Sequence, residues 1–141
     1  LCNPDNPMGG WHPPEVIEAA QAAGVPSAAT AELAALESEI AHVEALAAEL
    51  DAELVPMGSA GVKMMSVVRD VADAYVHAGG QYEWDSAAPV AVARAAGLFT
   101  SRVDGSELEY NQEDVYLPDV IVCRPELSEQ ILAFIATHGT D

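Results

Sequence analysis

Asp85 stands in the stretch EWDSAAPVAVARAAG, directly after Trp84 and directly before a run of small helix-forming residues. A carboxylate in that place can cap the helix start by accepting backbone N–H groups. It can also offer a hard oxygen ligand to Mg2+, and one side chain can do both. Upstream, Gly58, Ser59 and Ala60 make a tight turn of small residues after the apolar ELVPM, residues 53–57. Such a turn at a helix start leaves backbone N–H groups open to a phosphate or a sugar hydroxyl. Turns of this composition are common, so the turn and the aspartate also suit two plain helix starts.

The elements that must hold these residues are readable from periodicity. PPEVIEAAQAAG, residues 13–24, reads as a short helix opened by proline and closed by Gly24. A second helix is expected over 31–54, where Leu33, Leu36, Ile40, Val43, Ala47, Leu50 and Leu54 recur in steps of three and four. This heptad seam is short and is flanked by Glu37, Glu39, Glu44 and Glu49 with no Lys or Arg to pair with them. Packing against its own domain therefore suits it better than self-association. From residue 53 the pattern becomes α/β. ELVPM is a strand candidate, VKMMSVVRDVADAYVH an amphipathic helix running into a strand, and DVIVCR a buried strand. PELSEQILAFIATH is a closing helix with Pro125 in its first turn. Asp104 and Gly105 mark a hairpin turn. The expected organisation is a loop and acidic helical segment over 1–52 and an α/β domain over 53–141, a small mixed sheet flanked by helices.

Composition narrows the function. The 141 residues suffice for one domain with a real core. Half are hydrophobic but only 6% are aromatic, so the core is built from Ala, Val, Leu and Ile. A net charge of −18 excludes an electrostatic grip on nucleic acid or an anionic membrane. All five basic residues, Lys63, Arg69, Arg94, Arg102 and Arg124, lie at or beyond position 63, so an anion would be handled there. Arg102 and Arg124 are expected to pair with nearby carboxylates. Cys2 and Cys123 make neither a disulfide framework nor a metal cluster and read as free thiols of a reducing compartment, the cytoplasm. No apolar run is long enough to cross a bilayer, and LCNPDNPMGGWHPP lacks the pattern of a signal peptide.

GSAGVK at 58–63, DAYVHAGGQYEWDSAAPVAVARAAGL at 73–98, SRVDGSELEYNQ at 101–112 and LPDVIVCRPEL at 117–127 together resemble the C-terminal half of the inositol monophosphatase superfamily. Within it they look most like its CysQ-type 3′(2′),5′-bisphosphate nucleotidases of actinobacteria. The resemblance covers residues 43–136, about two thirds of the chain. It implies a Mg2+-dependent phosphomonoesterase that takes the 3′-phosphate from 3′-phosphoadenosine 5′-phosphate, a by-product of sulfate assimilation, to give AMP. By the same resemblance Asp85 is a metal ligand at the substrate phosphate, and Gly58, Ser59 and Ala60 contact the non-reacting part of the substrate.

The chain departs from the family pattern in three places. Lys63 lies four residues after Ser59, whereas some nucleotidase branches carry a lysine three after, a difference of about 100° around a helix. His77 stands where related branches have an arginine before the tryptophan-aspartate pair, and a lone histidine is more often structural than a ligand. The D-P-x-D-G-T motif that supplies the family's other metal-ligating aspartates does not occur. Asp85 alone offers too few carboxylates for the oxygen-rich shell of Mg2+, so no catalytic set is expected from this chain alone. Four readings stay open: a nucleotidase part completed by another segment or chain, an inositol monophosphatase-type enzyme, an inactive relative, and a helix-mediated interaction module.

Overall fold

The computed structural model describes residues 41–139. The expected helix at 13–24, the seam positions Leu33, Leu36 and Ile40, and Cys2 lie outside them. Helical residues 41–49, here α1, end in a left-handed Asp51 (φ 50°). The Ala52 N–H donates to the Ala47 carbonyl at 2.8 Å and the Asp51 N–H to the Ala48 carbonyl at 3.3 Å, the paired bonds of a Schellman close. The helix expected to run through Leu54 therefore stops early. Two further helices close the same way. α2, Ala60–Val68, ends through Asp70 (φ 57°), and α3, Glu83–Ala95, ends through Gly97 (φ 80°).

The strands are short: β1, Ala74–His77; β2, Gln81–Tyr82; β3, Phe99–Ser101; β4, Tyr116–Leu117; and β5, Val120–Cys123. β5 is the centre of a three-stranded sheet, with Val76 of β1 opposite Ile121 and Thr100 of β3 opposite Val122. β2 and β4 form a separate two-stranded ribbon, with Tyr82 opposite Tyr116. The α/β class with small sheets and flanking helices is as expected. Every described pairing is antiparallel, however, where a mixed sheet was anticipated. β1 and β3, joined through α3, run the same way, but β5 lies between them antiparallel to both, so no parallel pair forms. ELVPM contributes only the bridging residue Val55, and Pro56 beside it has no N–H for a ladder. A 3-10 turn, Pro125–Leu127, precedes α4, Ser128–His138, so Pro125 sits before the last helix rather than in its first turn.

Alternation along β1 and β5 divides the interior in two. Tyr75, Val120 and Val122 pack with Met64 and Val67 of α2 and Val90 and Ala93 of α3. Ala74, Val76, Ile121 and Cys123 face the other way, onto Val43, Leu46 and Ala47 of α1 and Ile131 and Ile135 of α4. Covered on both faces, β5 is buried along its whole length, which is why its sequence is an unbroken apolar run. The described part of the heptad seam thus packs against its own sheet, and the division drawn at residue 52 runs through one packed core.

Candidate active site at two helix starts

Asp85 is the third residue of α3. Asp85 was expected as the cap residue at or just before the helix, and the cap lies three positions earlier. Tyr82, extended at φ −107° and ψ 157°, holds the cap place, and the Glu83 N–H is taken by the Val115 carbonyl at 2.9 Å. From inside the first turn, Asp85 reaches back and its Oδ2 accepts the Tyr82 N–H at 3.0 Å, the return bond of a capping box. Its Oδ1 has no hydrogen-bond partner among the described residues and fits one coordination position of a hard cation. Among the described residues no three His, Cys, Asp or Glu side chains converge as a metal site. Pro89 lies one turn further on; it lacks the N–H that would close onto the Asp85 carbonyl.

Trp84, next to Asp85 in the chain, faces outward. It is 66% exposed and stacked on Tyr82, because consecutive helical residues project about 100° apart.

The small-residue turn enters α2 under strain. Ser59 takes φ 64° and ψ 128° and makes no side-chain cap bond, a backbone region that non-glycine residues avoid at a cost of about 1–3 kcal/mol. Its hydroxyl leaves the first N–H groups of α2 uncapped, and Gly58 and Ser59 are exposed. Lys63, one turn on, is buried at 1% exposure with Nζ 6.0 Å from the centroid of the Tyr75 ring. His77, at the end of β1, is also buried, its Nε2 3.0 Å from the Gly80 carbonyl and its ring parallel to Tyr75 at 6.3 Å. Lys63, Tyr75 and His77 therefore form one buried row. The turn and Asp85 belong to two separate helix starts, of α2 and α3, which pack against each other.

Arg102 and Arg124 are engaged with carboxylates, as expected. Arg102 forks onto Asp119 at 2.7 and 2.8 Å, which holds its guanidinium above the usual range, and the Val103 N–H adds a third bond to Asp119 at 2.9 Å. Arg124 pairs with Asp73 at 2.7 Å and Asp70 at 3.1 Å.

Other residues of the site were not foreseen. Glu83 accepts the Asn111 and Gln112 N–H groups, one on each oxygen, both at 2.9 Å. The clamp fastens the 102–115 loop to the start of α3. Asn111 sits at φ 64°, which turns successive N–H groups toward one anion. One turn into α3, buried Ser86 shares a 3.0 Å hydrogen bond with Tyr110, whose phenol burial pushes up in pKa. These partners are 24 to 29 residues apart in sequence, so no local pattern announces them. The one visible signal was the doubled aromatic of QYEWD in a chain poor in aromatics.

A family model described as the inositol monophosphatase family matches residues 14–139. A 3′-phosphoadenosine 5′-phosphate phosphatase of Mycobacterium bovis is 57% identical over 82 residues, 58% of this chain and 31% of that protein. Its namesake from Mycobacterium leprae is 54% identical over 87 residues, 62% of this chain and 32% of that one. The chain thus spans about a third of the length of the curated relatives it matches. An IMPase/NADP phosphatase, solved in complex with Mg2+ and phosphate, superposes with a TM-score of 0.59 at 21% identity over 72% of this chain and 36% of that one. That likeness is one of fold.

Proposed function

Because this chain belongs to the inositol monophosphatase family, we propose that it takes part in the Mg2+-dependent hydrolysis of the 3′-phosphate of 3′-phosphoadenosine 5′-phosphate to AMP, with Asp85 as a cation ligand. The observation that carries this reading is the carboxylate of Asp85: one oxygen is fixed by the Tyr82 N–H and the other is open to a cation. The choice of substrate rests on the mycobacterial phosphatases named for it.

Bound Mg2+ would neutralise charge on the transferring phosphoryl group and activate a water. It would also let a chain of net charge −18 hold an anion. Asp85 supplies one ligand of the several that Mg2+ requires, and the others come from another segment or another chain. Gly58, Ser59 and Ala60 take the non-reacting part of the substrate at its sugar or 5′-phosphate, with the uncapped N–H groups of α2. Lys63 and His77 reach it only from the buried side, as a polar floor beside Tyr75. Among the described residues no helix is long and apolar enough to cross a membrane. The free thiol of Cys123 accords with a reducing cytoplasm.

The test is phosphate release from 3′-phosphoadenosine 5′-phosphate by the purified chain, with and without Mg2+, beside Asp85→Asn. An asparagine oxygen still accepts the Tyr82 N–H, so the helix start survives while the anionic ligand is lost. Turnover that needs Mg2+ and falls about 100-fold in the variant, with the remaining ligands supplied by a second copy of the chain, is the expected result. Release that ignores both Mg2+ and the substitution, or no release at all, overturns the assignment of activity to this chain.

A further inference from the structure

Tyr82, Trp84 and Tyr116 form an exposed aromatic surface that the hydrolytic reading above leaves without a role. They are 48%, 66% and 51% exposed, in a chain where aromatic residues are only 6%. The Tyr82 and Trp84 rings lie 4.7 Å apart and 11° from parallel, and Tyr116 meets Tyr82 edge-on at 6.3 Å. The fold builds this arrangement. Tyr82 and Tyr116 are cross-strand partners of the β2–β4 ribbon. Gly80, at φ 81°, leaves room for the Tyr116 phenol, where an added Cβ would come within 2.8 Å of a ring carbon. The same turn carries the candidate cation ligand, since the backbone N–H of Tyr82 is the group that holds Asp85.

We propose that the outer face of Trp84, backed by Tyr82 and braced by Tyr116, stacks the purine base of the nucleotide whose phosphate is held at Asp85. The proposal rests on the reading of Asp85 as a ligand at a nucleotide phosphate. Base–aromatic stacking needs only an ordered π-face, and an indole already stacked on one side has little rotamer freedom left to lose. A neutral base is not repelled by the acidic surface, whereas a phosphate must be met by a cation. Two anchors of different chemistry on one turn therefore suit a molecule with a flat base at one end and a phosphate at the other. A cyclitol phosphate has no aromatic ring and would gain nothing from this surface, so the stack selects nucleotides over sugar-like phosphates.

Adenosine and ribose are the probes, because neither carries a phosphate and neither depends on the cation. Adenosine is expected to shift the Trp84 indole NMR signals saturably, and ribose to leave them in place. Trp84→Ala should weaken adenosine binding about fivefold or more, while Trp84→Phe keeps most of it. An effect of ribose equal to that of adenosine, or unchanged adenosine affinity in Trp84→Ala, overturns the proposal. So does an unmoved Trp84 signal with concentration-dependent association that Trp84→Ala abolishes, which would assign the surface to a protein contact. Phosphate release separates this claim from the one it rests on. Adenosine binding without Mg2+-dependent release defeats the hydrolytic reading and leaves the stack standing. Release with the same KM in wild type and Trp84→Ala defeats the stack and leaves hydrolysis.

Discussion

Asp85 holds the start of its helix with one oxygen, from the third helical position rather than as the cap residue, and leaves the other open for the ligand role proposed above. Cys123 shows the opposite outcome. It lies at the end of the central strand with no exposed surface, and burial, with a smaller push from Glu126, raises its thiol from 9.0 to about 12. Below pH 9 the thiol is protonated in both folded and unfolded chains, and its contribution to stability is constant. Between pH 9 and 12 the unfolded thiol ionises and the folded one does not, so stability falls as pH rises through that window. Thermal melts from pH 8 to 12 should show this alkaline loss reduced in Cys123→Ala, and in a Cys2→Ala background a thiol reagent should modify Cys123 at neutral pH only when the chain is unfolded. That Asp85 stands at a helix start was legible in the sequence because W-D followed by small residues is a local pattern. That of Glu83 was not, because its partners Asn111 and Gln112 arrive from a loop 28 and 29 residues away.

Glu83 is also what couples α3 to the 102–115 loop. Two charge-assisted bonds to successive backbone N–H groups, both at an exposed site, hold the loop there, and Glu83→Ala removes both. The prediction is faster amide exchange at Asn111 and Gln112 by about tenfold or more, with the exchange of α4 unchanged. Glu83→Gln, which keeps one acceptor oxygen, should fall between. Uniform acceleration across the domain would show instead that the clamp is part of global stability. Secondary-structure type was largely readable along this stretch, since helix and strand periods differ. Helix ends were read less well. Asp51 and Asp70 take the left-handed closing position that sequence reasoning reserves for glycine, a conformation that a short polar side chain tolerates. Trp84 could not be placed because its partner Tyr82 belongs to a ribbon whose other strand begins at Tyr116.

The domain is three layers, with α2 and α3 on one face of the sheet and α1 and α4 on the other. α1 is an integral layer, since Leu46 is 2% exposed against the β1–β5 face. Leu46→Ala should therefore cost about 2–5 kcal/mol. The loss should appear as one transition at lower temperature, with helical dichroism and aromatic fluorescence moving together. Two separated transitions would mean that α1 unfolds on its own and that residue 52 is a true boundary.

Fold class, the helices that follow the small-residue turn and the tryptophan-aspartate pair, and the burial of the last strand were contained in the sequence. Each follows from periodicity, capping chemistry or a short contiguous motif. Which face α1 covers, the strand directions around β5, the burial of Lys63 and His77 on Tyr75, the Glu83 clamp and the aromatic surface were decided only by tertiary structure. Each depends on residues distant in sequence meeting across the sheet or the ribbon, and hydrophobic pattern fixes that a face is buried without naming what buries it.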